Sequence, residues 1–392
     1  MRPPAHRSAI RTNRFGPSWL AGLIFYIGFA GTGVGMSLPG SVLPALLTHL
    51  ALKDNEAGFF FFLGWFGTSI GALLVRRSRI GSTVLATALI AIGSFGLAYS
   101  THYTCFLWVA IYGTGLGMAM TAISLHQAAL HAEHRSMELN RLNLIWALGA
   151  LAGPSLGAHS LKAASVRSIY SIIGLFFAIF CLWVLACERE ATQENAGIIA
   201  TPRRWSIALW PLPILCIIFL PTGVEASMGA WIAAYVQRSH QVIATTVTAG
   251  SCFWFGLLLS RATSSVLLKN KRRERILLIQ SLLTVVAGML LLIATTATAS
   301  ILPGIFLIGF GLGPVYPLLL AIALEFSDGT PIFFIAGLGS AFLPWFTGIV
   351  SAQAHSLRVG LVIPLLAALG MLALGIRVSR FSRVSLSSSP LP

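Results

Sequence analysis

Charge is what this sequence has least of. Only 9% of its 392 residues are Asp, Glu, Lys or Arg, against about a quarter in a typical soluble domain. With 56% hydrophobic residues, that scarcity excludes an ordinary soluble protein and predicts an integral membrane protein. Cysteine is scarce too. Cys105, Cys181, Cys187, Cys216 and Cys252 are odd in number, lie in or beside apolar segments and form no CxxC spacing, which excludes a disulfide framework and leaves them as small packing residues. His126, His131 and His134 do not have zinc-site spacing and no cysteine lies near them, so no metal is expected. No GxxxxGK[ST] sequence occurs, so nothing points to nucleotide-driven pumping, and no cofactor is expected.

The charge that is present is mostly positive, with a formal net charge of +15. The basic residues form short clusters between apolar runs. Topology signals and anionic lipid explain such clusters, and a nucleic-acid partner is not expected. A span needs about 20 apolar residues. Ten uncharged runs reach or approach that length, and two of them, 80–132 and 276–324, hold two spans each. They divide near Ser100–Tyr103 and near Thr296–Ser300. The expected fold is all-α, with twelve transmembrane helices. The basic first 18 residues precede an apolar run too long for a cleaved signal peptide. With the amino terminus inside, 20 Lys and Arg fall in cytoplasmic segments and five outside, namely Lys53, Lys162, Arg167, Arg238 and Arg358. This bias predicts two cytoplasmic termini.

The chain repeats itself weakly. Gly113-Thr-Gly-Leu-Gly117 recurs as Gly309-Phe-Gly-Leu-Gly313, 196 residues on. Trp65-Phe-Gly67 recurs as Trp254-Phe-Gly256 after 189 residues, and Leu148-Gly149 with Pro154 recurs as Leu338-Gly339 with Pro344 after 190. Arg76-Arg77 has a counterpart in Arg272-Arg273. Ordered matches at nearly one offset predict two pseudo-symmetric six-helix bundles with a solute cavity between them. The expected division is a basic tail over 1–18, a bundle over 19–187, a polar cytoplasmic linker over 188–204, a second bundle over 205–377 and a tail over 378–392.

One segment stands out. Phe219–Tyr235 is membrane-length and apolar apart from Glu225, with Pro221, Gly223 and Gly229 close by. A carboxylate at that depth is unfavourable unless it is used or paired. Pro221 removes a backbone donor and bends a helix, which makes Pro221 and Gly223 hinge candidates. Asp54, Glu56, Glu133, Glu138, Glu188, Glu190, Glu194, Glu274, Glu325 and Asp328 fall at expected loops or helix ends. Glu225 alone is expected to be deep, and by elimination it is the candidate for proton coupling. Holding helices together is the plainer alternative. Arg261 is the one basic residue well inside an apolar run; it could pair with Glu225, bind an anionic solute or snorkel to the interface. Trp231 and Tyr235 lie one turn apart on the Glu225 helix. They suit either a sugar-stacking surface or an interfacial aromatic belt, and Tyr235 beside Arg238 fits the belt better.

Several motifs resemble those of the major facilitator superfamily. Gly71-Ala-Leu-Leu-Val-Arg-Arg-Ser-Arg79 is similar to its loop between the second and third helices, with Val75 in place of an acid and Ser78 in place of a glycine. Gly149-Ala-Leu-Ala-Gly-Pro-Ser-Leu-Gly157 is similar to its glycine–proline motif of the fifth helix, commonest in antiporters. Within the superfamily, Thr222-Gly-Val-Glu225 with Gly229 and Trp231, Phe253-Trp-Phe-Gly256 with Arg261, Gly311-Leu-Gly-Pro-Val-Tyr-Pro317, and Leu343-Pro-Trp-Phe-Thr-Gly348 resemble the fucose permease-like sugar–proton symporters. Pro221 replaces that group's tyrosine, the first span has no acid, and Met120 stands in the place of a glutamate before Thr121.

The resemblance implies a monomeric secondary transporter of the plasma membrane, working by alternating access rather than as an enzyme, with a small-molecule substrate, a coupling proton and a lipid bilayer as its partners. It implies substrate contacts at Trp231, Arg261, Met120, Thr121, Trp254, Tyr316 and Trp345. It implies gating roles for Arg76, Arg77, Arg79, Gly149, Gly153, Pro154 and Gly157. Proton symport of a sugar or small polar metabolite is the expected activity. Proton-antiport export of drugs or metabolites is one alternative, and a non-transporting sensor or assembly partner is another.

Overall fold

The computed structural model of the protein describes residues 18–76, 78–131, 135–163, 165–191, 212–239, 243–267, 274–294, 297–326 and 330–387. Arg77, most of the 188–204 linker and the Arg272-Arg273 pair lie outside them. Twelve long helices and two short ones account for the regular structure of the described residues. The first bundle holds α1 (Ser18–Ser41), α2 (Leu43–His49), α3 (Asp54–Leu73), α4 (Arg79–Ala98), α5 (Thr104–Leu130), α6 (Arg135–Ala163) and α7 (Val166–Ala191). The second holds α8 (Leu212–Arg238), α9 (Ile243–Leu267), α10 (Glu274–Ala294), α11 (Thr298–Phe326), α12 (Thr330–Ala354), α13 (Leu357–Gly360) and α14 (Val362–Ser387). α2 and α13 are the short elements.

Helix is the one open-chain form that satisfies its own backbone in lipid. Long apolar runs therefore become helices even where they hold proline, as α11 does with Pro303, Pro314 and Pro317. Ten of the described helices are long and apolar enough to cross a membrane by length and composition. α6 opens with Arg135, Glu138 and Arg141 in its first two turns, and α9 carries Arg261 and several Ser and Thr.

The repeats seen in the sequence are helix crossings. A side chain at Gly67 would meet the Ala110 carbonyl and the Thr114 amide, and one at Gly256 would meet the Phe306 carbonyl and the Phe310 amide. Positions 67 and 256 differ by 189, and positions 110 and 114 differ from 306 and 310 by 196. The pattern continues elsewhere. Gly113 lies on the Gly64 carbonyl and Gly309 on that of Phe253; Gly149 lies on the Ala30 carbonyl and Gly339 on that of Phe219. Small residues let helix backbones approach this closely in membranes. The short glycine motifs thus mark where α3 crosses α5, α9 crosses α11, α1 crosses α6 and α8 crosses α12, and each crossing in one bundle has its counterpart in the other.

Between bundles, α3 packs on α12, α6 on α9, and α1 and α2 on α8. Gly40 lies against the Gly229 carbonyl, and Gly58 against Trp345. The α3–α12 seam runs on along α3 to Ser69, which meets Gly337, while the Gly40–Gly229 and Gly58–Trp345 contacts lie toward the end of the molecule where α3 begins and α8 finishes. At the same end the Asp54 carboxylate takes two hydrogen bonds from Arg238, both 2.6 Å, and a third from Ser351.

Candidate functional site

A cavity of about 570 Å³ lies between the bundles. Its wall comes from α1, α3, α5 and α6 of the first bundle and from their repeats α8, α9, α11 and α12 of the second. Most of that wall is apolar or aromatic. Among the described residues its charged side chains are Glu225 and Arg261.

Helix periodicity explains which residues reach it. Thr222, Glu225, Ala226 and Gly229 share one face of α8, spaced by three and four residues, and all line the cavity. Trp254 and Arg261 are seven residues apart on α9, two turns, and share a face in the same way. Nη2 of Arg261 donates to Oε2 of Glu225 at 3.2 Å. Arg261 therefore turns inward to the acid rather than outward to the interface. The side chains of Glu225 and Arg261 are 16% and 23% exposed. Tyr316 from α11 shares this part of the wall.

The Ser and Thr hydroxyls on the wall, and that of Tyr112, have committed their protons to backbone. Thr222 donates to Ala336 O at 2.6 Å, Ser264 to Arg261 O at 3.1 Å, and Ser340 to Thr222 O at 3.3 Å. On the first bundle's side Thr68 donates to Gly64 O and Tyr112 to Gly35 O. The strongest polar functions left for a solute are the ion pair itself, Tyr316 and the amide of Asn143.

Of the expected substrate contacts, Met120, Trp254, Arg261 and Tyr316 line the cavity. Trp231, Trp345 and Thr121 do not. Trp231 sits six residues after Glu225, about 120° around the helix. It is fully buried against α12, and its indole N–H donates to Pro344 O at 3.0 Å. Trp345 packs in the α3–α12 seam, with its ring 5.0 Å from Phe62 and 5.8 Å from Phe59. Thr121 follows Met120 by one residue, so the helix turns it off the cavity face. Tyr235, expected in an outer aromatic belt, is buried with its hydroxyl on Leu292 O at 2.7 Å.

The described residues among those expected in gating or hinge roles lie off the cavity wall. Gly149 and Gly153 let α6 close on α1, Gly157 faces Val42 and Leu38, and Pro154 touches Gly250 across the bundle boundary. Gly223 lies against Gly339 and Leu343, and Pro221 is buried inside a continuous α8. Arg76 is exposed, with its backbone N–H on Ser82 Oγ, and Arg79 opens α4; neither lines the cavity.

Glu138 corrects one expectation. It lies in the first turn of α6, at a helix end as expected, but its side chain is only 1% exposed, taking a hydrogen bond from Tyr26 and pairing with Arg141 at 3.5 Å. Glu225 is thus not the one buried acid, although it remains the acid in mid-helix among the described residues. Glu138 ties α1 to α6 within the first bundle and does not reach the cavity.

Among the wall residues not anticipated are Trp65, Asn143 and Trp146. Trp65 had a signal, since it is the repeat partner of Trp254. Asn143 had a weaker one, a polar residue in a membrane-length helix. Trp146 had none. Its ring meets Trp254 edge to face at 5.8 Å, across the boundary between bundles.

Comparisons with known proteins agree with this architecture. No curated protein matches the chain significantly. Among solved structures, a bacterial homologue of the human lysosomal transporter Spinster, in an inward-facing and unoccupied conformation, superposes with a TM-score of 0.67 at 14% identity, over 93% of this chain and 98% of the other. A structure of a bacterial Spinster homologue in an inward-facing, occupied conformation gives 0.63 at 12% identity, over 92% and 97%. Those identities speak for the fold alone. A model of the family described as Major Facilitator Superfamily matches residues 25–331, and the chain belongs to that superfamily.

Proposed function

We propose that the chain is a proton-coupled secondary transporter of a small organic solute, working by alternating access, with Glu225 as the coupling carboxylate. One observation carries the reading. Glu225 is the one acid on the cavity wall among the described residues, and a cation, Arg261, stands beside it. Burial and a neighbouring cation act on a carboxylate in opposite senses, so a change of access during the cycle can change its protonation.

The resemblance to fucose permease-like symporters supports uptake together with the proton. The wall gives a free sugar little, since the expected aromatic contacts Trp231 and Trp345 lie elsewhere and the Ser and Thr hydroxyls of the wall have committed their protons to backbone carbonyls. We therefore favour a less polar metabolite. The largely aromatic wall also supports a second reading, proton-antiport export of such compounds. The bundles close at the Asp54–Arg238 end, whereas no seam comparable with the α3–α12 contact joins α5 to α11 among the described residues. We read the structure as inward-facing, with that closed end outside and both termini cytoplasmic. The 188–204 segment then serves as a cytoplasmic tether between bundles spanning 19–187 and 205–377.

Glutamine keeps the size and hydrogen bonding of a protonated glutamate but cannot release a proton. Glu225→Gln is expected to abolish gradient-driven accumulation in proteoliposomes while keeping downhill exchange of the same solute. Undiminished accumulation ends the coupling role, and a proportional fall in both modes makes Glu225 structural. Topology has its own check. A reporter after Arg204 or at Pro392 should read as cytoplasmic and one near Lys162 as external, because Lys and Arg favour the inside. The reverse pattern inverts the inward-facing reading.

A further inference from the structure

We infer that the solute is an organic anion with an apolar or aromatic body, bound on Arg261 while Glu225 carries a proton, so that the loaded cavity is electrically neutral. The inference rests on Glu225 as the coupling carboxylate and adds the charge class of the cargo.

Glu225 and Arg261 are the charged side chains of the wall among the described residues. A guanidinium stays protonated in proteins, so the wall has two charge states. With Glu225 ionised its net charge is zero. With Glu225 protonated it is +1. A net negative wall never arises. A cationic solute would add charge to a low-dielectric cavity in either state, which is unfavourable. A neutral solute leaves the +1 of the proton-loaded state uncompensated. An anion cancels it, and does so in that state alone.

The geometry of the pair points the same way. A guanidinium offers five N–H donors in a fork that suits a carboxylate bidentately. Here one of them, on Nη2, reaches Glu225, and the buried Nε has no hydrogen-bond partner. The pair is engaged through one N–H, which leaves the other N–H groups of the terminal nitrogens, rather than the buried Nε, for another acceptor. The nearby hydroxyls of Thr222, Ser264 and Ser340 have spent their protons on carbonyls, so Arg261 is the main donor available to an anion, with Tyr316 beside it. The groups that can change the charge at Glu225 are few. Arg261 faces it from α9 and Tyr316 from α11. α12 has no titratable residue. α1 has Tyr26, engaged with Glu138; α2 has His49; α14 has Arg377, Arg380 and Arg383 in its final turns.

The body of the solute follows from α9. Trp254 lies seven residues from Arg261 on the same face, about 10 Å along the helix, and its ring meets that of Trp146. An acid head on Arg261 places a flat apolar tail against these indoles.

The experiment uses purified full-length protein with matched probes: 3-phenylpropionate and indole-3-acetate, their primary amides, and the corresponding amines. Binding is followed by tryptophan fluorescence and calorimetry, and proton uptake by a pH electrode in weak buffer. We expect the acids to bind at least tenfold more tightly than the amides and the amines not to bind. Wild-type protein should take up one proton per acid bound, and the affinity should fall about tenfold per pH unit on the alkaline side, the slope for one co-bound proton. Glu225→Gln should bind the acids with no proton uptake and a flat pH profile. Arg261→Gln should bind acid and amide alike. Amides or amines binding as well as acids, acid binding by the wild type without proton uptake, or no binding by either acid at millimolar concentration would each overturn the inference. Uphill accumulation of a neutral solute with the acids silent removes this inference and leaves the coupling role of Glu225 standing. Acid binding with proton uptake but no accumulation in proteoliposomes does the reverse.

Discussion

α8 carries two ion pairs, and they differ in every respect but their chemistry. At its end Arg238 grips Asp54 of α3 with two hydrogen bonds of 2.6 Å, and Arg238 is 40% exposed. In its middle, thirteen residues earlier and about 20 Å along the helix, Glu225 meets Arg261 of α9 through a single bond of 3.2 Å. The first pair joins the two bundles. The second lies within one bundle. A pair between bundles breaks when the bundles part, so it sets how often that end opens and cannot travel with either half. A pair within a bundle survives the rocking motion, so it cannot be a gate. It can change charge without any change in packing. The tighter pair is therefore the mechanical one, and the looser pair is the one left free to take a proton or a solute.

The largest effect should come from unbalancing the inner pair. Arg261→Gln leaves a carboxylate without its cation in a buried wall, a change that costs about 3–5 kcal/mol where such pairs are well desolvated. Glu225→Gln with Arg261→Gln should cost less than the sum of the two, by about 0.5–3 kcal/mol, measured by reversible unfolding of the purified protein. Strict additivity would mean that the two side chains do not interact.

A smaller effect is expected at the outer pair. Asp54→Asn should favour opening of that end by about 0.2–1 kcal/mol, the range for exposed pairs. This appears as up to a fivefold faster reaction of an impermeant thiol reagent with a cysteine at Ala230, a cavity residue beneath the closure. Arg238→Gln should act alike, and the double variant should add nothing. Unchanged labelling would mean that the Gly40–Gly229 crossing alone holds the end shut. Salt provides the finest distinction. Raising it from about 0.15 M to 1 M shortens the Debye length from about 8 Å to 3 Å. It should move wild-type labelling toward the Asp54→Asn rate and leave the coupling between Glu225 and Arg261 unchanged.

The readable and unreadable parts of this protein divide along the same line as the two pairs. The twelve helices follow from run length and scarce charge, because a span in lipid needs both. The two bundles and their matched crossings were present in Gly113, Gly309, Gly67 and Gly256, because close backbone approach demands glycine and little else. Glu225 and Arg261 could be paired as candidates because few charges lie deep and each is unfavourable alone. Tertiary structure decided what remained. Glu138 looked like a helix-end acid, and only the placement of Tyr26 and Arg141 around it shows that it is buried. Trp231 looked like a solute contact, but it points into α12, since its place on the far side of α8 matters only once α12 is packed there. Asp54 and Arg238, 184 residues apart, carry no local sign of each other. Residue type and spacing determine which segments enter the membrane and which charges cannot be left alone there. The packing of one bundle on the other decides which faces stay open to a solute, and local sequence does not record it.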